Sequence, residues 1–262
     1  MPVDYELRDH VAWITMNEPE TLNSWTPTIR DGMQEAFERF RDDPEAWVAI
    51  LHGNGRAFSS GGNTRAMGST PEEPPVGLRQ PYWNQSLMDG IEVGMNVYKP
   101  VIAAIHGYAL GMGLSVALAC DFRIAAEGTE FGFPEARLGF PPAIGTVHAV
   151  RVLGIANALE LVLVADRIDT ERALRMNLVR EVVPADELLS AAAALAERLC
   201  ASSPIGLRSS KELVLRSVDM AFTDAVRLGG SLQHLAREAS PEDRREGLRA
   251  IAERRAPKFT GR

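Results

Sequence analysis

Short apolar runs that end in glycine turns dominate the first half of the chain. Residues 101–105 are all apolar and are followed by His106-Gly107, and residues 47–51 lead in the same way to His52-Gly53. A short, unbroken apolar run is typical of a strand that is buried on both faces of a sheet. Because the two units repeat the order strand, His-Gly and glycine-rich turn, we expect parallel strands that deliver two glycine loops to the same edge.

The second of these loops leads directly to a helix. Gly111-Met112-Gly113 forms the turn, and residues 114–119 are small and apolar, as expected for a buried helix. A strand, a glycine turn and a helix start direct backbone N–H groups to one point, with the positive end of the helix dipole behind them. The pattern predicts a site that stabilises an anion, or an oxygen that becomes one. It is only a weak sign of dinucleotide binding, because the third glycine of that motif is missing.

The remaining pattern predicts a strand-rich first half followed by a helical tail. Residues 5–16 alternate as in a hairpin that turns at Asp9-His10, and Thr26-Pro27 is typical of the start of a helix, which extends to residue 41. The other predicted elements are a helix over 83–98, strands over 121–126, 130–133 and 178–183, and helices from residue 145 onward, with caps at Asp169, Asp186 and Ser240, the last with a capping-box-like signature.

Composition and charge exclude several classes of protein. The hydrophobic fraction of 45% and the charged fraction of 24% are ordinary for a soluble globular protein, and a net charge of −7 argues against nucleic-acid binding. The N-terminal residues have no signal-peptide pattern, and we expect no membrane-spanning run, so a cytoplasmic location is predicted. Cys120 and Cys200 are interpreted as buried free thiols, and neither a disulfide framework nor a metal site is expected.

Three segments in order resemble the motifs of one family. Residues 58–63 (FSSGGN), 107–113 (GYALGMG) and 119–139 (ACDFRIAAEGTEFGFPEARLG) are similar, in sequence and spacing, to segments of the crotonase superfamily of enoyl-CoA hydratases and isomerases. The similarity covers essentially the whole chain. It implies an α/β fold, a spiral of repeated ββα units over residues 1–195, with a C-terminal helical oligomerisation region over 196–262. It also implies a homotrimer or a dimer of trimers.

The resemblance further implies an acyl-CoA substrate, with no cofactor other than the coenzyme A of that substrate. The thioester oxygen is expected between the N–H groups of Gly62 and Met112, and Glu135 aligns with the glutamate that transfers protons in the family. The apolar neighbours of Glu135 are expected to raise its pKa; a solvated turn glutamate is the alternative interpretation. The substrate-binding residues that the resemblance implies are Ser24, Ser60, Asn63, Gly111, Pro134 and Lys258.

The sequence departs from this pattern at Ser115, where hydratases of the family with two glutamates carry the second one. A serine can hydrogen-bond a water molecule, but it is not a base at neutral pH without help. Ala143 also offers no acidic group where some relatives have one. A single carboxylate is sufficient to shift a double bond, and it also supports hydration in which one residue serves both proton transfers. The two hypotheses are therefore an acyl-CoA enzyme that uses Glu135 and a catalytically weak member that binds acyl-CoA.

Overall fold

The structure is a computed structural model, and it describes residues 1–62, 90–91 and 96–262. The predicted binding residue Asn63 and most of the helix predicted over 83–98 lie outside the described residues. All statements below refer to the described ranges.

A six-stranded sheet with the order β1-β2-β3-β4-β6-β8 forms the centre of the fold, and β5 and β7 pair in a second, smaller sheet. The β1–β2 pair is antiparallel, as the hairpin prediction requires, and every other pairing is parallel. The strands are Val3–Arg8 (β1), Val11–Met16 (β2), Val48–Gly53 (β3), Val101–Ile105 (β4), Tyr108–Leu110 (β5), Phe122–Ala126 (β6), Glu130–Gly132 (β7) and Glu181–Val183 (β8).

The described residues also form eight α-helices: Pro27–Asp42 (α1), Met112–Ala119 (α2), Ala143–Leu159 (α3), Thr170–Arg175 (α4), Leu188–Cys200 (α5), Pro204–Ser217 (α6), Phe222–Ala239 (α7) and Pro241–Glu253 (α8). Short 3₁₀ turns cover Pro19–Thr21, Pro134–Leu138 and Ala185–Glu187, and a π-helical turn, Glu160–Val164, extends α3. The strand-rich first half and the helical tail were both predicted.

Alternate residues of the central strands enter different hydrophobic layers. Ala103 and Ile105 of β4 face the layer that contains α1 and α2, whereas Ile102 and Ala104 face the layer that contains α5. The strand is therefore buried on both faces, as its unbroken apolar run predicts. The predicted helix start is also confirmed, because the Thr26 hydroxyl accepts a hydrogen bond from the Ile29 N–H and caps α1.

Three local predictions are wrong. Residues 108–110 form β5, although the sequence indicated only a turn there. Asp186 lies inside a 3₁₀ turn and does not cap α5, and the Ser240 side chain does not cap α8, because its hydroxyl donates to the Arg262 carbonyl oxygen. The helix α5, Leu188–Cys200, packs on the central sheet and spans residues 195 and 196, where the C-terminal helical region is expected to begin; the division into two regions stays a prediction.

The stretch Ala143–Val164, of 22 residues, is long and apolar enough to cross a membrane by length and composition, and an 18-residue segment of it has a mean hydropathy of 1.7. The expectation that no run approaches this length is therefore wrong. Only 28% of that 18-residue segment is buried, and the backbone of the stretch is interrupted at Gly154, where φ is 74° and ψ is 166°. Arg151 and Glu160 on this stretch pair with Asp219 and Arg172, so its surface is not uniformly apolar.

Candidate active site

The two predicted glycine loops contact each other. Residues 57–62 follow β3, and residues 107–111 follow β4. The Phe58 N–H donates to the His106 carbonyl oxygen at 2.8 Å. The Ser59 N–H donates to the Tyr108 carbonyl oxygen at 2.9 Å, and the Leu110 N–H donates to the Ser59 carbonyl oxygen at 3.1 Å. The paired strands β3 and β4 thus bring both loops to the same edge of the sheet, as the repeat predicts.

At Gly61 the first loop passes close to the second. Its φ is +85°, and a methyl group on its Cα would lie 2.5 Å from the Leu110 carbonyl oxygen, so only glycine fits. The Gly61 carbonyl oxygen accepts a hydrogen bond from the Trp25 N–H at 2.7 Å. In a trans peptide the C=O and the N–H point in opposite directions, so the Gly62 N–H points away from Trp25.

Met112 is the first residue of α2. The helix starts after Gly111, whose φ is +50°, and the first intrahelical hydrogen bond runs from the Ser115 N–H to the Gly111 carbonyl oxygen at 3.0 Å. The same peptide geometry directs the Met112 N–H out of the N-terminal end of the helix, where no earlier turn can accept it. Each loop therefore presents the backbone donor that the resemblance assigned to it.

Glu135 lies against the second loop. It belongs to the 3₁₀ turn Pro134–Leu138, and a methyl group at Gly111 would lie 2.7 Å from its Oε1 atom. Its Oε2 atom is buried and has no hydrogen-bond partner among the described residues. Burial raises the pKa of Glu135, which is the direction expected from its apolar neighbours, and a solvated turn glutamate does not fit this environment. The carboxyl group thus contacts the residue whose peptide carries the Met112 N–H.

Ser115 lies one helical turn inside α2 and is 2% exposed. Its hydroxyl donates to the Gly111 carbonyl oxygen at 3.2 Å. A methyl group at Gly145, in α3, would lie 2.6 Å from the Ser115 Oγ atom and 2.5 Å from the Phe133 ring. Serine and glycine together leave room for the aromatic ring next to Glu135.

Two of the predicted substrate-binding residues lie along the first loop. Ser24 is buried, and its hydroxyl has no partner among the described residues. Ser60 is half-buried; its N–H donates to the Leu22 carbonyl oxygen at 2.9 Å and its hydroxyl to Thr21 at 3.3 Å. Ser60 therefore neighbours the Gly62 donor in the chain, and Ser24 precedes Trp25, whose N–H donates to the Gly61 carbonyl oxygen.

Lys258 lies apart from this group within the chain. It is exposed, and its N–H donates to Glu246 at 2.9 Å. The next residue, Phe259, packs on the hydrophobic layer of α5. No contact in the described ranges joins Lys258 to either glycine loop. Gly111 and Pro134, in contrast, lie next to the donor and the carboxyl group, respectively.

Asn23 is a residue whose structural role the sequence did not reveal. It is fully buried with a φ of +51°, and its side-chain amide donates to the carbonyl oxygens of Asn54 at 2.9 Å and Ala57 at 2.8 Å. Its carbonyl oxygen accepts the Ser59 hydroxyl at 2.7 Å. These bonds fix the start of the first loop. The one indication in the sequence was the residue type itself, because asparagine adopts the left-handed backbone conformation more readily than most residues.

Metal ligation finds no support in the described ranges, where no group of three His, Cys, Asp or Glu side chains is placed to hold an ion. His52 instead shares a hydrogen bond with Thr15 at 2.9 Å, and His106 with the Gly55 carbonyl oxygen at 3.0 Å. Cys120 and Cys200 are both free, the first buried and the second half-buried.

Comparison with known proteins gives consistent matches along the whole chain. The profile of the family described as Enoyl-CoA hydratase/isomerase matches residues 6–262. An (E)-benzylidenesuccinyl-CoA hydratase of Thauera aromatica is 36% identical over 265 residues, with 100% of both chains covered. A carnitinyl-CoA dehydratase of Salmonella typhi is 36% identical, with 95% of this chain and 94% of the relative covered.

Solved structures agree with these matches. The crystal structure of an enoyl-CoA hydratase from Bacillus anthracis superposes with a TM-score of 0.90 at 29% identity, and 100% of both chains is covered. That of an enoyl-CoA hydratase from Mycobacterium tuberculosis gives a TM-score of 0.86 at 31% identity, with 99% of both chains covered.

Proposed function

Because the chain belongs to the enoyl-CoA hydratase/isomerase family, within the crotonase superfamily, we propose that it catalyses proton-transfer chemistry on an enoyl-CoA thioester with Glu135 as its single acid/base. The crotonase-like fold class expected from the sequence is that of the family. The observation that carries the proposal is the contact between the Glu135 carboxyl group and Gly111, at the peptide that bears the Met112 N–H.

The two backbone donors explain how the enolate is stabilised. Adding water to a 2-enoyl-CoA, or removing a proton next to the thioester, places negative charge on the thioester oxygen. In the proposed complex this oxygen accepts hydrogen bonds from the N–H groups of Gly62 and Met112. Each donor is already oriented by a hydrogen bond to the carbonyl group of its own peptide, so little reorganisation is needed. Losing one such donor typically costs a factor of about 10²–10³ in rate.

Glu135 supplies the proton transfers. For hydration, its ionised carboxylate takes a proton from water while the water oxygen bonds to C3 and an electron pair moves to the thioester oxygen. The enolate then collapses, and Glu135 returns the proton to C2. For a shift of the double bond, the same carboxylate removes a proton from C2 of a 3-enoyl-CoA and returns it at C4. Both reactions balance in atoms and protons with one carboxyl group.

The two relatives favour hydration and its reverse as the reaction, because they are named as a hydratase and a dehydratase. Double-bond isomerisation is the second candidate, because Ser115 leaves the site with one carboxylate. A catalytically weak acyl-CoA-binding protein remains the alternative for the same reason. The Oε2 atom of Glu135, which is buried and has no partner among the described residues, favours an enzyme over a binder, because an unsatisfied buried carboxyl oxygen costs stability without serving binding.

Other features belong to the same proposal. The substrate contributes coenzyme A, and no further cofactor is required. We propose a homotrimer or a dimer of trimers, and in such an assembly Lys258 would serve a site other than that of its own chain. A cytoplasmic location with neither nucleic-acid nor membrane partners stays a prediction from the sequence.

The test is to incubate the purified protein separately with a 2-enoyl-CoA and a 3-enoyl-CoA and to follow mass and thioester-conjugation absorbance together. Hydration adds the mass of one water to the 2-enoyl-CoA while its absorbance falls. Isomerisation raises the absorbance of the 3-enoyl-CoA without a change in mass. If neither signal changes with either substrate, the proposed chemistry is wrong and the binding alternative is favoured.

A further inference from the structure

We propose that Ser115 is a positioning residue that holds the peptide bearing the Met112 N–H donor, and that it does not hold the attacking water. This inference rests on the function proposed above and assigns a role to the residue at which the chain departs from hydratases with two glutamates. A helical serine that bonds to the preceding turn is common in itself. Here the serine bonds to the peptide between Gly111 and Met112, so the bond affects the orientation of the Met112 N–H.

The Gly111 carbonyl oxygen accepts two hydrogen bonds, both from Ser115. The backbone N–H donates at 3.0 Å and the hydroxyl at 3.2 Å. This carbonyl belongs to the same planar peptide as the Met112 N–H, so whatever fixes one fixes the direction of the other. Hydrogen bonding at the carbonyl also polarises the amide, which makes its N–H a better donor by about 10–30%.

The conformation of Gly111 makes this support valuable. Its φ of +50° and ψ of −121° lie in a region that only glycine adopts readily, and no side chain caps the start of α2. Without the hydroxyl, the carbonyl oxygen of the peptide between Gly111 and Met112 keeps one hydrogen bond from the described part of the chain, that of the Ser115 N–H. We therefore expect it to sample other orientations, and the N–H then no longer points reliably to the thioester oxygen.

The surroundings of Ser115 argue against a water-holding role. A hydroxyl has one proton to donate, and here it is donated to Gly111, so Ser115 could contact a water only as an acceptor. The side chain is 2% exposed and is packed against Gly145 and Phe133. A positioning role and a water-holding role differ in their consequences. Positioning of the Met112 donor affects hydration and isomerisation alike, because both pass through the enolate, whereas loss of a water ligand affects hydration alone.

The experiment measures carbonyl polarisation directly. Cinnamoyl-CoA is a conjugated 2-enoyl thioester, and donors at its carbonyl oxygen shift its absorbance to longer wavelength. Cinnamoyl-CoA is bound to two proteins: the Glu135→Gln variant, in which turnover is blocked, and the double variant that also carries Ser115→Ala. The matched control adds Cys120→Ala instead, because the Cys120 thiol makes the same type of bond, to the Val116 carbonyl oxygen at 3.4 Å, at the other end of α2.

We expect Ser115→Ala to reduce the absorbance shift and Cys120→Ala to leave it unchanged. In the protein with Glu135 intact, Ser115→Ala should lower kcat by the same factor, about tenfold, for hydration and for isomerisation, with KM little changed. This loss is smaller than the factor of about 10²–10³ that is typical when an oxyanion donor is removed, because the Met112 N–H is still present. Ser115→Cys, which keeps a weak donor, should give an intermediate shift.

The outcomes separate this inference from the proposed function. If the Glu135→Gln parent shows a shift and Ser115→Ala leaves it intact, Ser115 is only structural, and the inference is wrong while the proposed oxyanion site stands. A loss of hydration without loss of isomerisation would also overturn it in favour of a water ligand. If the parent binds cinnamoyl-CoA without any shift, both the inference and the proposed oxyanion site are wrong.

Discussion

The carboxyl group of Glu135 is both close to the second glycine loop and partly buried. Its Oε1 atom lies against Gly111, and its Oε2 atom is buried without a partner among the described residues. Burial disfavours the charged form, so the pKa of this carboxyl group is raised. A carboxyl group with a raised pKa is a better acid/base catalyst near neutral pH than an ordinary glutamate.

The pH dependence of the rate tests this environment. Glu135 must be ionised to take the first proton, so kcat/KM should fall as the pH decreases through its pKa. Because that pKa is raised, the acid limb should lie above 4.5, the ordinary value for a glutamate. The measurement is kcat/KM for a 2-enoyl-CoA between about pH 4 and 8. A rate that stays constant down to the ordinary glutamate pKa would contradict the assignment.

The sequence could identify Glu135 but not the residues that support the site. Glu135 became the candidate through the resemblance of residues 119–139 to the family's catalytic segment, together with their spacing from the second loop, and its role stays a prediction. The contribution of Asn23 depends on hydrogen bonds to Ala57 and Ser59, which are more than 30 positions away in the chain. Such partners follow from the pairing of strands, and neither composition nor periodicity contains that information.

At the scale of elements, the junction between β5 and α2 shapes the proposed oxyanion site. The sequence predicted the glycine turn and the helix, but it missed β5 because three residues are too few to show a strand period. In the structure, β5 pairs with β7 and is joined to Ser59 by an isolated bridge. The partners of this strand lie in two other segments, which explains why its local sequence did not reveal it.

Gly111→Ala tests this junction. The added methyl group would lie 2.7 Å from Glu135 Oε1, and the φ of +50° disfavours any side chain. We expect a loss of about 1–3 kcal/mol in stability and a fall in kcat approaching the factor of about 10²–10³ that follows loss of an oxyanion donor.

Gly128→Ala is the matched control for backbone strain. Gly128 also has a positive φ, +75°, but a methyl group there meets no atom of the described residues within 4 Å. We expect a loss of stability from strain, with kcat for a 2-enoyl-CoA unchanged. Equal losses of kcat in the two variants would show that strain, and not the contact with Glu135, explains the effect of Gly111→Ala.

On the scale of the whole molecule, large apolar side chains remain exposed along α3 and the C-terminal helices. Ile155 is 68% exposed, Leu163 70% and Phe222 84%. Exposed apolar surface of this kind is typical of a protein interface. The sequence predicted an oligomer through the resemblance alone, because periodicity does not show which helix faces the rest of the chain leaves uncovered.

Phe222→Asp tests the predicted assembly. A charge at this position would be costly in an apolar interface, so the variant should sediment as a smaller species than the parent. The parent is expected at three or six times the chain mass of 28.6 kDa in analytical ultracentrifugation. Leu189→Asp is the control, because Leu189 is also exposed but lies on α5, outside the predicted oligomerisation region. An unchanged mass for Phe222→Asp would contradict an interface at the start of α7.

The most direct test of the central claim is the activity of Glu135→Gln with a 2-enoyl-CoA at saturating concentration. Glutamine keeps the shape of the side chain but cannot accept and return the proton, so we predict that kcat falls by about 10²–10⁴. Binding of the same thioester, measured separately by calorimetry, should stay within about threefold of the parent, because the backbone donors are untouched. A kcat equal to that of the parent would contradict the account, since the reaction would then proceed without the carboxyl group on which it depends.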